Sequence, residues 1–221
     1  MKKTTLGLIH TSATLVPVFQ TLCQEMLHNI NVFNMVDDSL IKDVIAKGEL
    51  TPATAKRVVN QVASAEAAGA DYILVTCSSI GVAVETAATL SGVPVIRVDQ
   101  AMADLAVQTG QKIGVIATLP TTLAPTSDLV KRRAAAAGKD IQLVSKLCDG
   151  AFEALMSGDA AKHDEMVGNA LKELSKQVDV ILLAQASMAR VVDTLQPEEK
   201  IVPILASPAE AIKQLAKQIN S

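Results

Sequence analysis

The chain has 221 residues, of which 49% are hydrophobic but only 2% aromatic, and a formal net charge of −3. That length buries a sizeable core as one large domain or two small ones, and the composition makes the core aliphatic and alanine-rich. A mildly acidic chain with no long basic run and few rings for base stacking is poorly equipped for nucleic acid or an anionic membrane, so neither is expected as a partner.

Met1-Lys-Lys leads into an apolar run too short for a secretory signal and without a small-residue cleavage site, so the segment is predicted as the first strand, Thr5–His10. Further strands are predicted at Ile30–Val36, Tyr72–Thr76, Val93–Val98, Lys112–Thr118, Ile141–Leu147, Val180–Ala184 and Ile201–Leu205. Between them the pattern gives helices near Leu15–Leu27, Ser39–Lys47, Pro52–Ala68, Ile80–Leu90, Gln100–Thr109, Thr122–Ala137, Gly150–Met156, Ala160–Gln177, Met188–Leu195 and Pro208–Asn220. Strands alternating with helices predict an α/β fold of parallel sheets covered on both faces. No stretch approaches the roughly 18 apolar residues of a membrane span.

The chain repeats itself. Asp71-Tyr-Ile-Leu-Val-Thr-Cys77-Ser-Ser-Ile-Gly-Val-Ala-Val-Glu-Thr86 returns as Asp179-Val-Ile-Leu-Leu-Ala-Gln185-Ala-Ser-Met-Ala-Arg-Val-Val-Asp-Thr194, at a constant offset of 108 residues. Leu6-Gly-Leu-Ile-His-Thr11 likewise answers to Ile113-Gly-Val-Ile-Ala-Thr118, and Val93-Pro-Val-Ile to Val202-Pro-Ile-Leu. Two similar four-stranded lobes related by a pseudo-twofold are expected, residues 1–98 with 206–221 and residues 99–205, with an active site in the cleft between them. The apolar helix at 53–68 offers a surface for a homodimer.

Ligands of open parallel sheets sit beyond the carboxyl ends of the strands. Those ends read His10-Thr11-Ser12, Thr76-Cys77-Ser78-Ser79, Thr118-Leu-Pro-Thr121-Thr122 and Gln185-Ala186-Ser187: many hydroxyls, one thiol, one amide and no evident acid. Hydroxyls and helix N-termini together cradle a carboxylate without Arg or Lys, so a small carboxylate-bearing substrate is expected at Thr11, Ser12, Thr76, Ser78, Ser79, Thr118, Thr121, Thr122, Ala186 and Ser187. The same hydroxyls also read as ordinary helix caps. Cys77, between a strand end and a helix start, is expected to have a depressed pKa and a reactive thiolate; the alternative is a packed small hydrophobe. His10 reads equally as a proton carrier for Cys77 or as a satisfied structural residue. Cys23 reads as packing, Cys148 as a residue that could graze the cleft, and His28 and His163 as solvated. Three cysteines without metal spacing suit the reducing cytoplasm. Neither a dinucleotide fingerprint nor a P-loop is present, and no ligand cluster suggests a metal, so no cofactor is expected.

On these residues the chain resembles the aspartate/glutamate/hydantoin racemase superfamily along essentially its whole length. Val75-Thr-Cys-Ser-Ser79 is similar to the family's first cysteine motif, and Leu183-Ala-Gln-Ala-Ser-Met-Ala189 to its Leu-Gly-Cys-Ala-Gly-Met-Ala, with Gln185 in place of the second cysteine. The resemblance implies a cofactor-independent enzyme in which one cysteine removes the proton next to a carboxylate and an opposed cysteine returns one. Gln185 cannot ionise, and losing a general acid or base costs about 10²–10⁴ in rate. The implied activity is therefore racemase- or epimerase-like with Cys148 or His10 relaying the second proton, or a one-cysteine variant in which Cys77 serves a decarboxylase or isomerase and Gln185 orients substrate. Arylmalonate decarboxylases resemble a one-thiol precedent, though their thiol lies in the second half; maleate isomerases keep both. His10-Thr-Ser departs from the Asp-Ser-Gly of glutamate racemases, so glutamate itself is not implied. The reading from a different class is a catalytically silent binder of small carboxylates.

Overall fold

A computed structural model describes residues 3–220 of the chain. In chain order the elements are β1 (Thr5–His10), α1 (Leu15–Met26), β2 (Asn31–Val36), α2 (Ser39–Lys47), α3 (Pro52–Ala67), β3 (Tyr72–Val75), α4 (Gly81–Ala88), β4 (Val95–Arg97), α5 (Gln100–Thr109), β5 (Lys112–Ala117), α6 (Pro120–Ala136), β6 (Gln142–Leu147), α7 (Ala151–Met156), α8 (Ala160–Leu174), β7 (Val180–Leu183), α9 (Ala189–Thr194), β8 (Ile204–Ala206) and α10 (Ser207–Asn220). Short 3₁₀ turns at Ser78–Ile80, Ala186–Met188 and Pro197–Glu199 were not anticipated by the periodicity, and α6 starts two residues earlier than expected because Pro120 suits the first helical position. Among the described residues no helix is long and apolar enough to cross a membrane.

The chain forms two compact units, one running to Gln100 and rejoined by the segment from Pro208, the other Ala101–Ser207. Each holds a four-stranded parallel sheet, in the orders β2-β1-β3-β4 and β6-β5-β7-β8. Alternation along the strands divides each core. In the first unit Ile9, Ile73 and Val75 face Val58, Val62 and Val84, while Leu6, Leu8 and Leu74 face Phe19, Ile212 and Leu215 of α1 and α10. In the second, Val115, Val180 and Leu182 pack with Met102, Ala106 and Leu129, and Ile116, Ile181 and Leu183 with Val167, Leu171 and Val191. Each such buried aliphatic side chain contributes about 1.5–3 kcal/mol, which is how a core almost without rings holds together.

The repeat has physical causes. The Asp71 carboxylate accepts the Thr5 N–H at 2.8 Å, and Asp179 accepts those of Gln111 and Lys112 at 2.9 and 2.8 Å, so each aspartate satisfies the start of the neighbouring strand. A Cβ on Gly114 would stand 2.9 Å from Leu174, and one on Gly7 3.0 Å from Phe33, so both first strands need a glycine for close packing.

Candidate functional site

In each sheet the strand order reverses beside the first strand: β1 connects outward to β2, then the chain returns to place β3 on the other side. The crevice at such a switch point is where open α/β sheets hold ligands. In the first unit the crevice lies between His10-Thr11 and Thr76-Cys77; in the second, between Thr118 and Gln185.

Cys77 is partly buried and leads into the 3₁₀ turn Ser78–Ile80. Burial pushes its thiol above the ordinary value, opposed by hydrogen bonds to the sulfur from the Thr11 hydroxyl, the Ser79 and Ile80 N–H groups and the Ser79 hydroxyl. The expected depressed thiol is thus overturned: the four donors are present, but desolvation outweighs them. Near neutral pH Cys77 carries its proton. Cys23 and Cys148 are more deeply buried, and desolvation lifts each thiol to about 11. Cys148 packs among Ile116, Ala151 and Val167 in an apolar cluster.

His10 is fully buried beside Phe19, with ring centroids 5.6 Å apart. Its Nδ1 lies 2.9 Å from Thr76 Oγ1 and its Nε2 2.9 Å from Asn34 Oδ1. Burial lowers its pKa, only partly offset by Asn34, so the ring is neutral at pH 7. Thr76 also reaches the Ile9 carbonyl at 3.2 Å. Ser12 bonds Thr14 within its own loop, at 2.8 Å.

The second unit repeats the geometry with different chemistry. Gln185 Oε1 accepts the Thr118 N–H at 2.5 Å and its hydroxyl at 2.9 Å. Because a backbone N–H only donates, the amide oxygen must face Thr118, which leaves the –NH2 end as the outward donor. Thr122 and Thr118 are buried, Ala186 and Ser187 partly so, and Thr121 Oγ1 is buried without a hydrogen-bond partner. The hydroxyls at these strand ends do not stand at cap positions, which are taken by Cys77, Ile80, Leu119 and Gln185. Thr51 and Asp159, by contrast, do cap α3 and α8.

A further expectation is corrected. His163 is not solvated; it is fully buried, with Nδ1 2.7 Å from Asp164 and Nε2 unpartnered, because its helical position falls on the apolar stripe with Val167 and Leu171. The four strand ends read above hold no acid, but acids follow the other two strands of the first unit. Asp37 follows β2, its N–H bonded to the His10 carbonyl and its carboxylate held by Arg57 at 2.8 Å and Gln61 at 2.9 Å. Asp99 follows β4, fully buried against Arg97. Arg97 and Asp99 are not among the residues expected at the site; the arginine inside the apolar run Val95-Ile-Arg-Val gains its meaning from the register that sets it beside Gly81. Among the described residues no three His, Cys, Asp or Glu gather into a group able to hold a metal ion.

Comparison with known proteins matches residues 6–215 to the family described as Asp/Glu/Hydantoin racemase. No curated protein matches the sequence. Among solved structures, an Asp/Glu racemase candidate from Yersinia pestis superposes with a TM-score of 0.78 at 20% identity, over 99% of this chain and all of the other. Glutamate racemase from Francisella tularensis, in complex with D-glutamate, gives 0.77 at 18% identity over 100% of this chain and 82% of that one. Allantoin racemase from Klebsiella pneumoniae gives 0.69 at 16%, covering 99% and 88%. At these identities the superpositions establish a shared fold.

Proposed function

The chain belongs to the Asp/Glu/hydantoin racemase family, and from that premise we propose that it is a cofactor-independent enzyme that delivers a proton from Cys77 to the carbon next to a carboxylate. The observation that carries this reading is the convergence of the Thr11 and Ser79 hydroxyls and the Ser79 and Ile80 N–H groups on one sulfur. A thiol raised by burial is protonated at neutral pH and serves as an acid rather than a base. When an enolate takes its proton, the S–H electrons stay on sulfur, and four donors already face the thiolate that forms. Charge that develops in the reaction is thereby met by fixed dipoles. Solvent then reprotonates the thiolate.

Gln185 stands in the second unit at the place that Cys77 takes in the first, and it is a non-titrating group: its oxygen is held by Thr118, which leaves its –NH2 as the donor. Racemisation needs a second group that removes a proton, and the amide cannot supply one. One-sided protonation, as in decarboxylation of a small dicarboxylic acid, therefore fits better. There the C–C bonding pair becomes the enolate, carbon dioxide leaves, and Cys77 protonates the carbon. His10, neutral and held at both nitrogens, acts in this reading as a brace for Thr76. In the first unit Ser78 is the hydroxyl assigned to a substrate oxygen.

The test is deuterium incorporation. The protein is incubated in D₂O with a panel of amino, hydroxy and dicarboxylic acids, and products are read by NMR. The proposal expects deuterium beside a carboxylate of at least one acid, lost in Cys77→Ala. Acids that bind without any exchange or decarboxylation would instead identify a silent carboxylate binder, which Gln185 would not disfavour.

A further inference from the structure

The residue that ends the cysteine turn, Gly81, has a neighbour that its counterpart in the repeat lacks. Arg97 closes β4 in register with Val75. Its side chain is 1% exposed and is gripped by Asp99 through Nε at 2.7 Å and Nη2 at 2.8 Å, and by Glu85 through Nη1 at 2.5 Å. A Cβ on Gly81 would stand 2.3 Å from Arg97 Cζ and 2.4 Å from Nη2, so the guanidinium rests directly on the first residue of α4. In the second unit Leu183, the counterpart of Val75, pairs with Ala206. Ala189 stands where Gly81 does in the first. The halves therefore differ at three places together: Cys77, Gly81 and Arg97 in one, Gln185, Ala189 and Ala206 in the other.

We propose that Arg97, clamped by Asp99 and Glu85, is a positioning residue for the Cys77 thiol, pinning against Gly81 the turn whose Ser79 and Ile80 N–H groups face the sulfur. The inference rests on Cys77 being the reacting group. Those N–H groups favour the thiolate only while they stay aimed at it; Ile80 anchors the turn in the core, and Arg97 is set against its end at Gly81. A planar guanidinium can grip two carboxylates and lie flat on a glycine at once, which an ammonium cannot. Burying a charge carries a desolvation penalty that an aliphatic filler avoids, and the second unit does fill this place with an alanine. The ion pair is found only in the half that has the thiol. Charged or titratable groups near the turn include Arg97 and Asp99 from β4 and its extension, Glu85 from α4 and the neutral His10 from β1, and α2, which also packs against the turn, carries Lys42, Asp43 and Lys47.

The experiment follows alkylation of Cys77 by iodoacetamide in the full-length protein from about pH 6 to 10, read by peptide mass spectrometry, with thermal midpoints recorded in parallel. Arg97→Met is combined with Asp99→Leu so that no buried carboxylate is stranded. The expected result is a folded protein whose Cys77 titrates about one unit higher, so that it alkylates about tenfold more slowly near neutrality. Arg97→Lys, which keeps the charge but loses the fork, should show a similar displacement. A folded double variant with the wild-type alkylation profile would overturn the proposal, and so would full restoration by lysine, which would make the role one of charge alone. Deuterium exchange surviving in Cys77→Ala would remove the functional reading instead. The alkylation profile would still report on Arg97, because it is measured at the sulfur.

Discussion

Gly81→Ala is the perturbation for which local and tertiary reasoning give opposite signs. At the start of a helix, replacing glycine by alanine stabilises by about 0.4–1 kcal/mol, chiefly by restricting the unfolded chain. Here the new methyl would meet Arg97 Cζ at 2.3 Å, Nη2 at 2.4 Å and Nε at 2.8 Å. The guanidinium has no room to retreat, since Asp99 holds two of its nitrogens and Glu85 the third. Forcing atoms into a packed site costs about 1–3 kcal/mol, and tearing a buried charge from its partner about 3–5. Partial loss of the Asp99 contact, less the helix gain, leaves a net destabilisation of roughly 2–4 kcal/mol. For a chain of this size that lowers the melting temperature by roughly 5–15 °C. The assay is thermal and urea unfolding of wild type, Gly81→Ala, Arg97→Ala and the double variant. On the Arg97→Ala background the added methyl should be neutral or stabilising, because the guanidinium that it would meet is gone. Equal destabilisation by Gly81→Ala on both backgrounds, or none on either, would refute the contact as the cause.

Gln185→Leu leaves the Thr118 N–H and hydroxyl without their acceptor, and a loss of about 1–3 kcal/mol in urea unfolding is expected, whereas Gln185→Glu keeps the acceptor and should lose less. Asp179 has its pKa lowered by hydrogen bonds from the Lys112 and Gln111 N–H groups, so its contribution is full above the unfolded carboxyl's pKa and disappears as pH falls through the lower folded value. Melting curves should therefore separate wild type from Asp179→Asn at pH 7 and bring them together in strong acid; a gap independent of pH would assign the difference to packing.

The duplicated strands were legible because their signals are local: runs such as Tyr72–Val75 and Val180–Leu183 are apolar at every position, and each follows an aspartate that finds the N–H groups of the neighbouring strand. The position of Cys77 was legible for the same reason, since a strand end is marked by where the apolar run stops. Its proton affinity was not. A helix-start position lowers a thiol pKa, but desolvation depends on how many side chains from distant segments cover the sulfur, and that is a property of the packed unit. His163 escaped in the same way, because polar neighbours in sequence hid a position that falls on the buried stripe of α8. Arg97 and Asp99 escaped for a different reason. A lone arginine in a short strand becomes informative only when the register sets it beside Gly81, and the glycine only when its missing Cβ is seen to lie under the guanidinium.

The repeat then acts as an internal reference for separating fold from chemistry. Where the halves agree, the shared residue has a structural task in both: Asp71 and Asp179 bond strand starts, Gly7 and Gly114 admit close packing, and Thr11 and Thr118 each bond the second residue after the third strand of their sheet. Thr11 is therefore part of how this fold holds whatever residue stands at that place, and its contact with Cys77 alone says little about reactivity. Where the halves differ, the fold cannot be the reason, because the same sheet order forms with either residue. Cys77, Gly81 and Arg97 against Gln185, Ala189 and Ala206 is a difference of that second kind. What needs explaining beyond folding is thus a thiol, the turn that supplies its N–H donors and a buried arginine lying on that turn, all within one half of the chain.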